Sequence, residues 1–228
     1  MPPPSSFRTR VKFCGLVQAT DVDLAVSLGV DAIGFVFYAR SPRVLSPEQA
    51  LALRRRLPSW VAAVGLFVDE DPAQVTRVAG MVGLDVVQFH GSETPDHCRA
   101  SRSGGRPYWR AVRMRGPSDL LESVGRFGDA EAFLVDSFSD SFGGTGKRFD
   151  WSWLANGRPE RLILSGGLDD CCVEEAILGT APCMVDVSSG IQGADPRTKD
   201  PGRMASFIAA VLRADARRAS EPSPGHSA

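Results

Sequence analysis

The chain has 228 residues, with 26 basic and 27 acidic side chains and a formal net charge of −1. Hydrophobic residues make up 43% and charged residues 23%, a globular mixture that excludes a disordered, collagen-like or coiled-coil protein. The balanced charge argues against a general nucleic-acid or anionic-membrane binder, and the only lysines are Lys12, Lys147 and Lys199, so lysine-dependent chemistry has three candidates.

Residues 1–10 are rich in Pro and Ser and lack an apolar stretch, so they read as a flexible extension and not as a signal peptide. Residues 11–14 read as a strand, and residues 21–28 as a helix capped by Thr20 or Asp21. Residues 31–37 are a continuous apolar run, the mark of a strand buried on both faces. Ser46-Pro47-Glu48 opens a helix through Leu57, with Ser as N-cap and Pro at the first helical position. Residues 61–68 form the third strand, Asp71-Pro72 opens the third helix, residues 85–89 form the fourth strand and Thr94-Pro95 opens the fourth helix.

The same alternation continues. Strands are expected at residues 108–112, 132–136, 161–165 and 184–187. Helices follow at residues 117–126, near 150–154, at 169–178 and at 201–213. Repeated strand–helix units imply parallel strands with right-handed crossovers, and eight of them imply a closed (β/α)8 barrel spanning residues 11–213. An open doubly wound sheet is the rival, but no G-x-G-x-x-G follows the first strand. Residues 214–228 read as a flexible tail. No apolar run reaches the length of a membrane span. The five cysteines form no C-x-x-C pair and the three histidines no zinc signature, so free thiols in a reducing cytoplasm are expected.

A barrel of this kind carries its active site at the C-terminal ends of the strands. Cys14, His90, Asp136 and Asp186 lie at or next to such ends, with Gly166-Gly167 after strand seven and Ser188-Ser189-Gly190 after strand eight. Gly-rich loops at those two positions form the usual phosphate site of a barrel. Cys14 and Asp136 make an acid–base pair, although a thiol ending a strand also fits as a small core residue, and a carboxylate there as an ion-pair partner. His90 either contacts ligand or orients a loop. Residues 143–147 (GGTGK) lack P-loop spacing, because Arg148 follows Lys147.

Several strings, in one order, resemble phosphoribosylanthranilate isomerase. They are residues 11–16 (VKFCGL), 31–37 with 41–43 (SPR), 65–68 (GLFV), 86–91 (VVQFHG), 143–151, 165–168 (SGGL), 186–190 (DVSSG) and Lys199-Asp200. The resemblance implies a cofactor-free Amadori rearrangement of a small phosphorylated substrate, with no metal, by a monomer or homodimer. It implies Cys14 as general base, Asp136 as general acid, and Arg43 against the anthranilate carboxylate. It also implies Gly144, Gly166, Gly167, Ser188, Ser189 and Gly190 around the phosphate, with Lys12, Gln88, His90 and Asp186 supporting substrate binding. A thiol titrating near 8.5 needs only a modest downward shift to act at neutral pH. Two alternatives are weighed. A Schiff-base aldolase or related synthase needs a strand-end lysine where Asp136 stands, and an inactive ligand-binding barrel would lack the acid or the base.

Overall fold

The computed structural model describes residues 8–102, 105–138, 148–155 and 157–220. Eight parallel strands close into a barrel in chain order. They are β1 (Arg10–Cys14), β2 (Ala32–Val36), β3 (Ala62–Phe67), β4 (Val86–Phe89), β5 (Tyr108–Met114), β6 (Ala132–Ser137), β7 (Leu162–Leu164) and β8 (Met184–Val187). The helices are α1 (Ala19–Ser27), α2 (Pro47–Arg54), α3 (Pro72–Val82), α4 (Pro95–Ala100), α5 (Ser118–Arg126), α6 (Val173–Thr180) and α7 (Pro201–Ser220). Among the described residues no helix is long and apolar enough to cross a membrane.

Local chemistry sets most helix starts. Ser46 caps α2 through Gln49, which returns a bond to the Ser46 backbone, while Asp71 accepts from Ala73 and Gln74 and Thr94 from His97. Each is followed by a proline, whose missing N–H costs nothing in the first turn. The expected cap of α1 is corrected: Gln18 precedes the helix without a side-chain bond, and Asp21 instead accepts the backbone N–H of Lys199. The start of α6 is also later than expected. The Asp169 carboxylate takes the N–H groups of Cys171 and Cys172 and holds a turn ahead of Val173. The short helix expected after β6 is a 3₁₀ turn, Trp151–Leu154.

The expected boundaries at 11 and 213 are too narrow. Arg10 already pairs with β8, and α7 runs on to Ser220. Thr9 is buried, and both its N–H and its hydroxyl donate to the Asp215 carboxylate, at 2.8 and 2.7 Å. A long-range bond to Thr9 therefore keeps this part of the final helix docked.

Alternation along the strands sorts the core. Val11, Phe13, Val87, Phe89, Phe133, Val135, Val185 and Val187 face the helices. Ala32, Val64, Val86, Trp109, Ala132, Leu134, Ile163 and Met184 fill the barrel interior. Since the side-chain period is 2, the next inward positions are Gly34, Leu66, Gln88, Asp136, Ser165 and Asp186, with Lys12 and Cys14 on β1. The barrel thus has an apolar plug below and a polar floor above.

Candidate active site

An open cleft of about 720 Å³, counted out into solvent at its mouth, lies over that floor. Its lining includes Cys14, Arg43, Gln88, His90, Asp136 and Asp186. Gly166, Gly167, Ser188 and Ser189 line it as well. These sequence-selected residues, from the ends of β1, β4, β6, β7 and β8 and from the loop after β2, therefore converge on one opening.

Cys14 closes β1 and is followed by Gly15 at φ +69°, a left-handed conformation that favours glycine. A Cβ on Gly15 would lie 2.5 Å from Arg43 Cδ, so the missing side chain lets the arginine stem cross the end of β1. Burial pushes the Cys14 thiol up, opposed by the Lys12 ammonium. The expected downward adjustment is thus reversed, because burial outweighs the Lys12 charge and the nearby Asp186 carboxylate adds to it.

Lys12 is placed differently from expectation. It is fully buried and does not reach the cleft surface. Its Nζ donates to Asp186 Oδ1 at 2.8 Å, and its pKa is raised: burial works against the charge, and Asp186 and Cys14 favour it. Ser165 Oγ approaches the other Asp186 oxygen at 3.4 Å.

Asp136 accepts the N–H of Ser137 at 2.8 Å, and its other oxygen lies 3.3 Å from His90 Nε2. Gln88 Nε2 is 3.3 Å from His90 Nδ1. With the amide as donor, Nδ1 accepts and the ring proton sits on Nε2, facing Asp136. His90 thus lines the cleft with its ring edge facing the Asp136 carboxylate. Gln88 Oε1 is buried without a hydrogen-bond partner among the described residues.

Arg43 Nε donates to Pro196 O at 3.1 Å, and its terminal nitrogen donates to Gln192 Oε1. Neither partner is charged, so the guanidinium keeps its positive charge for an incoming anion. Lys199 lies behind it, donating to Ser188 O at 2.8 Å. Burial and then the charge of Arg43 hold this lysine down to about 8. Lys199 and Gln192 both follow β8, and only the folded loop brings them to Arg43, so no local sequence signal marks Gln192. Ser165, next to the end of β7, and an apolar wall of Val36, Tyr38, Leu66 and Val68 complete the lining.

The two small-residue loops nest together. Gly166 and Gly167 have φ of +88° and +66°. Gly190 does not line the cleft; a Cβ there would lie 2.0 Å from Leu168 O, so its role is to let the β8 loop pack on the β7 loop. Gly144 lies outside the described residues.

A family profile described as N-(5′-phosphoribosyl)anthranilate (PRA) isomerase matches residues 11–210. The N-(5′-phosphoribosyl)anthranilate isomerase of Methylibium petroleiphilum is 47% identical over 210 residues, covering 92% of this chain and 97% of that protein. The crystal structure of phosphoribosyl anthranilate isomerase from Thermotoga maritima superposes with a TM-score of 0.83 at 37% identity, covering 90% of this chain and 99% of that one. A second solved isomerase, in complex with reduced 1-(o-carboxyphenylamino)-1-deoxyribulose 5-phosphate, gives a TM-score of 0.80 at 35% identity, covering 90% and 99% of the two chains.

Proposed function

The chain belongs to the N-(5′-phosphoribosyl)anthranilate isomerase family, and from that premise we propose how its cleft performs the reaction. The protein isomerises N-(5′-phosphoribosyl)anthranilate to 1-(2-carboxyphenylamino)-1-deoxyribulose 5-phosphate in tryptophan biosynthesis, and cytoplasmic residence is part of the same proposal. The observation that carries the residue assignment is the convergence of Cys14 and Asp136 on one cleft, flanked by Arg43 and the paired loops.

The substrate phosphate docks on the Gly166-Gly167 and Ser188-Ser189 loops, and the anthranilate carboxylate meets Arg43, whose planar fork matches two oxygens. The aromatic ring lies along Val36, Tyr38, Leu66 and Val68. Asp136, in its acid form and oriented by His90, donates its proton to the furanose oxygen. The ring C–O bond breaks as the anilino nitrogen supplies its electron pair, leaving a cationic Schiff base at C1′. Cys14 then removes the C2′ proton, and the electrons neutralise the iminium to give an enolamine. Tautomerisation returns one proton to C1′ and removes one from the C2′ hydroxyl, so the net change is an isomerisation. The cationic Schiff base favours the buried thiolate at the step that needs it.

Conversion of phosphoribosylanthranilate by purified protein, followed by fluorescence, tests the whole reading. Cys14→Ser and Asp136→Asn are each expected to lower kcat by about 10²–10⁴-fold with smaller changes in KM. Near-normal kcat in either variant removes that residue from its role.

A further inference from the structure

Lys12 makes no contact with substrate in the mechanism above, yet it is a fully buried cation directly beneath the base. Two features fix its ammonium. The β1–β8 register pairs Lys12 with Asp186, and their side chains meet at 2.8 Å. On the other side, Lys12 and Cys14 share one face of β1, and β2 presents Gly34 opposite Cys14. A Cβ on Gly34 would lie 2.8 Å from Cys14 Sγ and 3.2 Å from Lys12 Cε. The absent side chain on β2 is therefore the space in which thiol and lysine stem come together, so the ammonium that bonds Asp186 also bears electrostatically on Cys14.

We propose that Lys12 is the positioning residue of the base, its buried ammonium shared between Asp186 and Cys14 and acting as the counter-charge of the Cys14 thiolate. The inference rests on Cys14 being the base. The charged groups facing the sulfur are Lys12 from its own strand, Asp186 from β8, Lys199 from the segment before α7, and Arg43 from the loop after β2. Asp186 opposes the thiolate and the three cations favour it. Lys12 differs from the other two in that it shares a strand face with the sulfur and exerts the largest favourable charge effect on it. A lysine confined there cannot serve as a Schiff-base nucleophile, because its Nζ is already committed below the cleft floor.

The test is the pH dependence of Cys14 alkylation by iodoacetamide, read peptide by peptide by mass spectrometry so that exposed Cys171 does not contribute. Lys12→Met is expected to move the alkylation limb up by about one pH unit, roughly a tenfold slower reaction on its rising part. Lys12→Met alone also leaves Asp186 buried and unpaired, so the decisive protein is Lys12→Met with Asp186→Asn. That double variant is expected to regain most of the thermal stability while Cys14 stays several-fold less reactive than in Asp186→Asn alone, the reference from which the opposing carboxylate charge is already gone. Alkylation in the double variant equal to that of Asp186→Asn would show that Lys12 only neutralises Asp186, and would overturn the proposal. Alkylation needs no turnover, so its result stands apart from the Cys14→Ser activity measurement, which alone decides whether Cys14 is the base.

Discussion

Gly166 and Asp136 share a contact that a methyl group would fill: a Cβ on Gly166 would lie 3.0 Å from Asp136 Oδ1 and 2.5 Å from Ser137 N. The glycine also sits at φ +88°. Gly166→Ala is therefore expected to lower kcat at least tenfold by displacing the acid, and to cost about 1–3 kcal/mol through backbone strain. Gly80→Ala is the matched control, since nothing lies within 4 Å of its added Cβ in the interior of α3. It should stabilise the protein by about 0.5–1 kcal/mol and leave turnover unchanged. Steady-state kinetics and thermal unfolding of the two variants check both statements.

A general base works only when deprotonated, so kcat/KM is expected to rise with pH. Burial pushes the Cys14 thiol above its ordinary value, so the rise should continue beyond about pH 8.5 and not level off below it. Lys199, held down to about 8, titrates in the same window; measuring the profile in a Lys199→Met background removes that contribution. A plateau reached below about pH 8 would contradict the assignment.

Arg43 is held by a carbonyl and an amide, both neutral acceptors aligned with its fork. Lys at this position keeps the charge but loses the bidentate geometry. Arg43→Lys is expected to raise KM about 10- to 100-fold with a smaller change in kcat, as for a contact made equally in ground and transition states. A change confined to kcat would move Arg43 from binding into the chemical step.

Thr9 is tied to Asp215 by two hydrogen bonds far from the cleft. Asp215→Ala leaves the buried Thr9 N–H without its acceptor and is expected to cost about 2–3 kcal/mol, a fall in Tm of roughly 5–10 °C, with kcat retained. Truncation after Arg213 removes Asp215 as well and should destabilise at least as much. An unchanged Tm in both would show that the contact is dispensable.

What the sequence made legible follows the range of the interactions. The starts of α2, α3 and α4 are written in three or four consecutive residues, because cap, proline and first-turn acceptor are neighbours in the chain. The barrel and the strand ends at Cys14 and His90 follow from repeated apolar runs, and so do not depend on any one contact. Asp21 was misread as a cap because its partner, Lys199, stands at the other end of the chain, and Thr9 with Asp215 escaped notice for the same reason. Lys12, two residues before Cys14 on one strand, shares its face through the pleat. Its depth was not legible, because only the β1–β8 register brings Asp186 opposite it, and only the glycine on β2 makes room. The β7 loop glycines were chosen for a ligand, yet Gly166 equally accommodates Asp136. Gly190, chosen likewise, lies off the cleft and belongs to loop-on-loop packing.

The junction of Thr9 with α7 also brings the beginning and end of the folded chain together at the face opposite the cleft. A short peptide joining them would bridge neighbours without crossing the mouth, and the order of strands around the ring would be preserved wherever the chain was reopened. The ring has no privileged first strand: the continuity from β8 back to β1, not the position of the termini, holds the lysine, the thiol and the carboxylate in register.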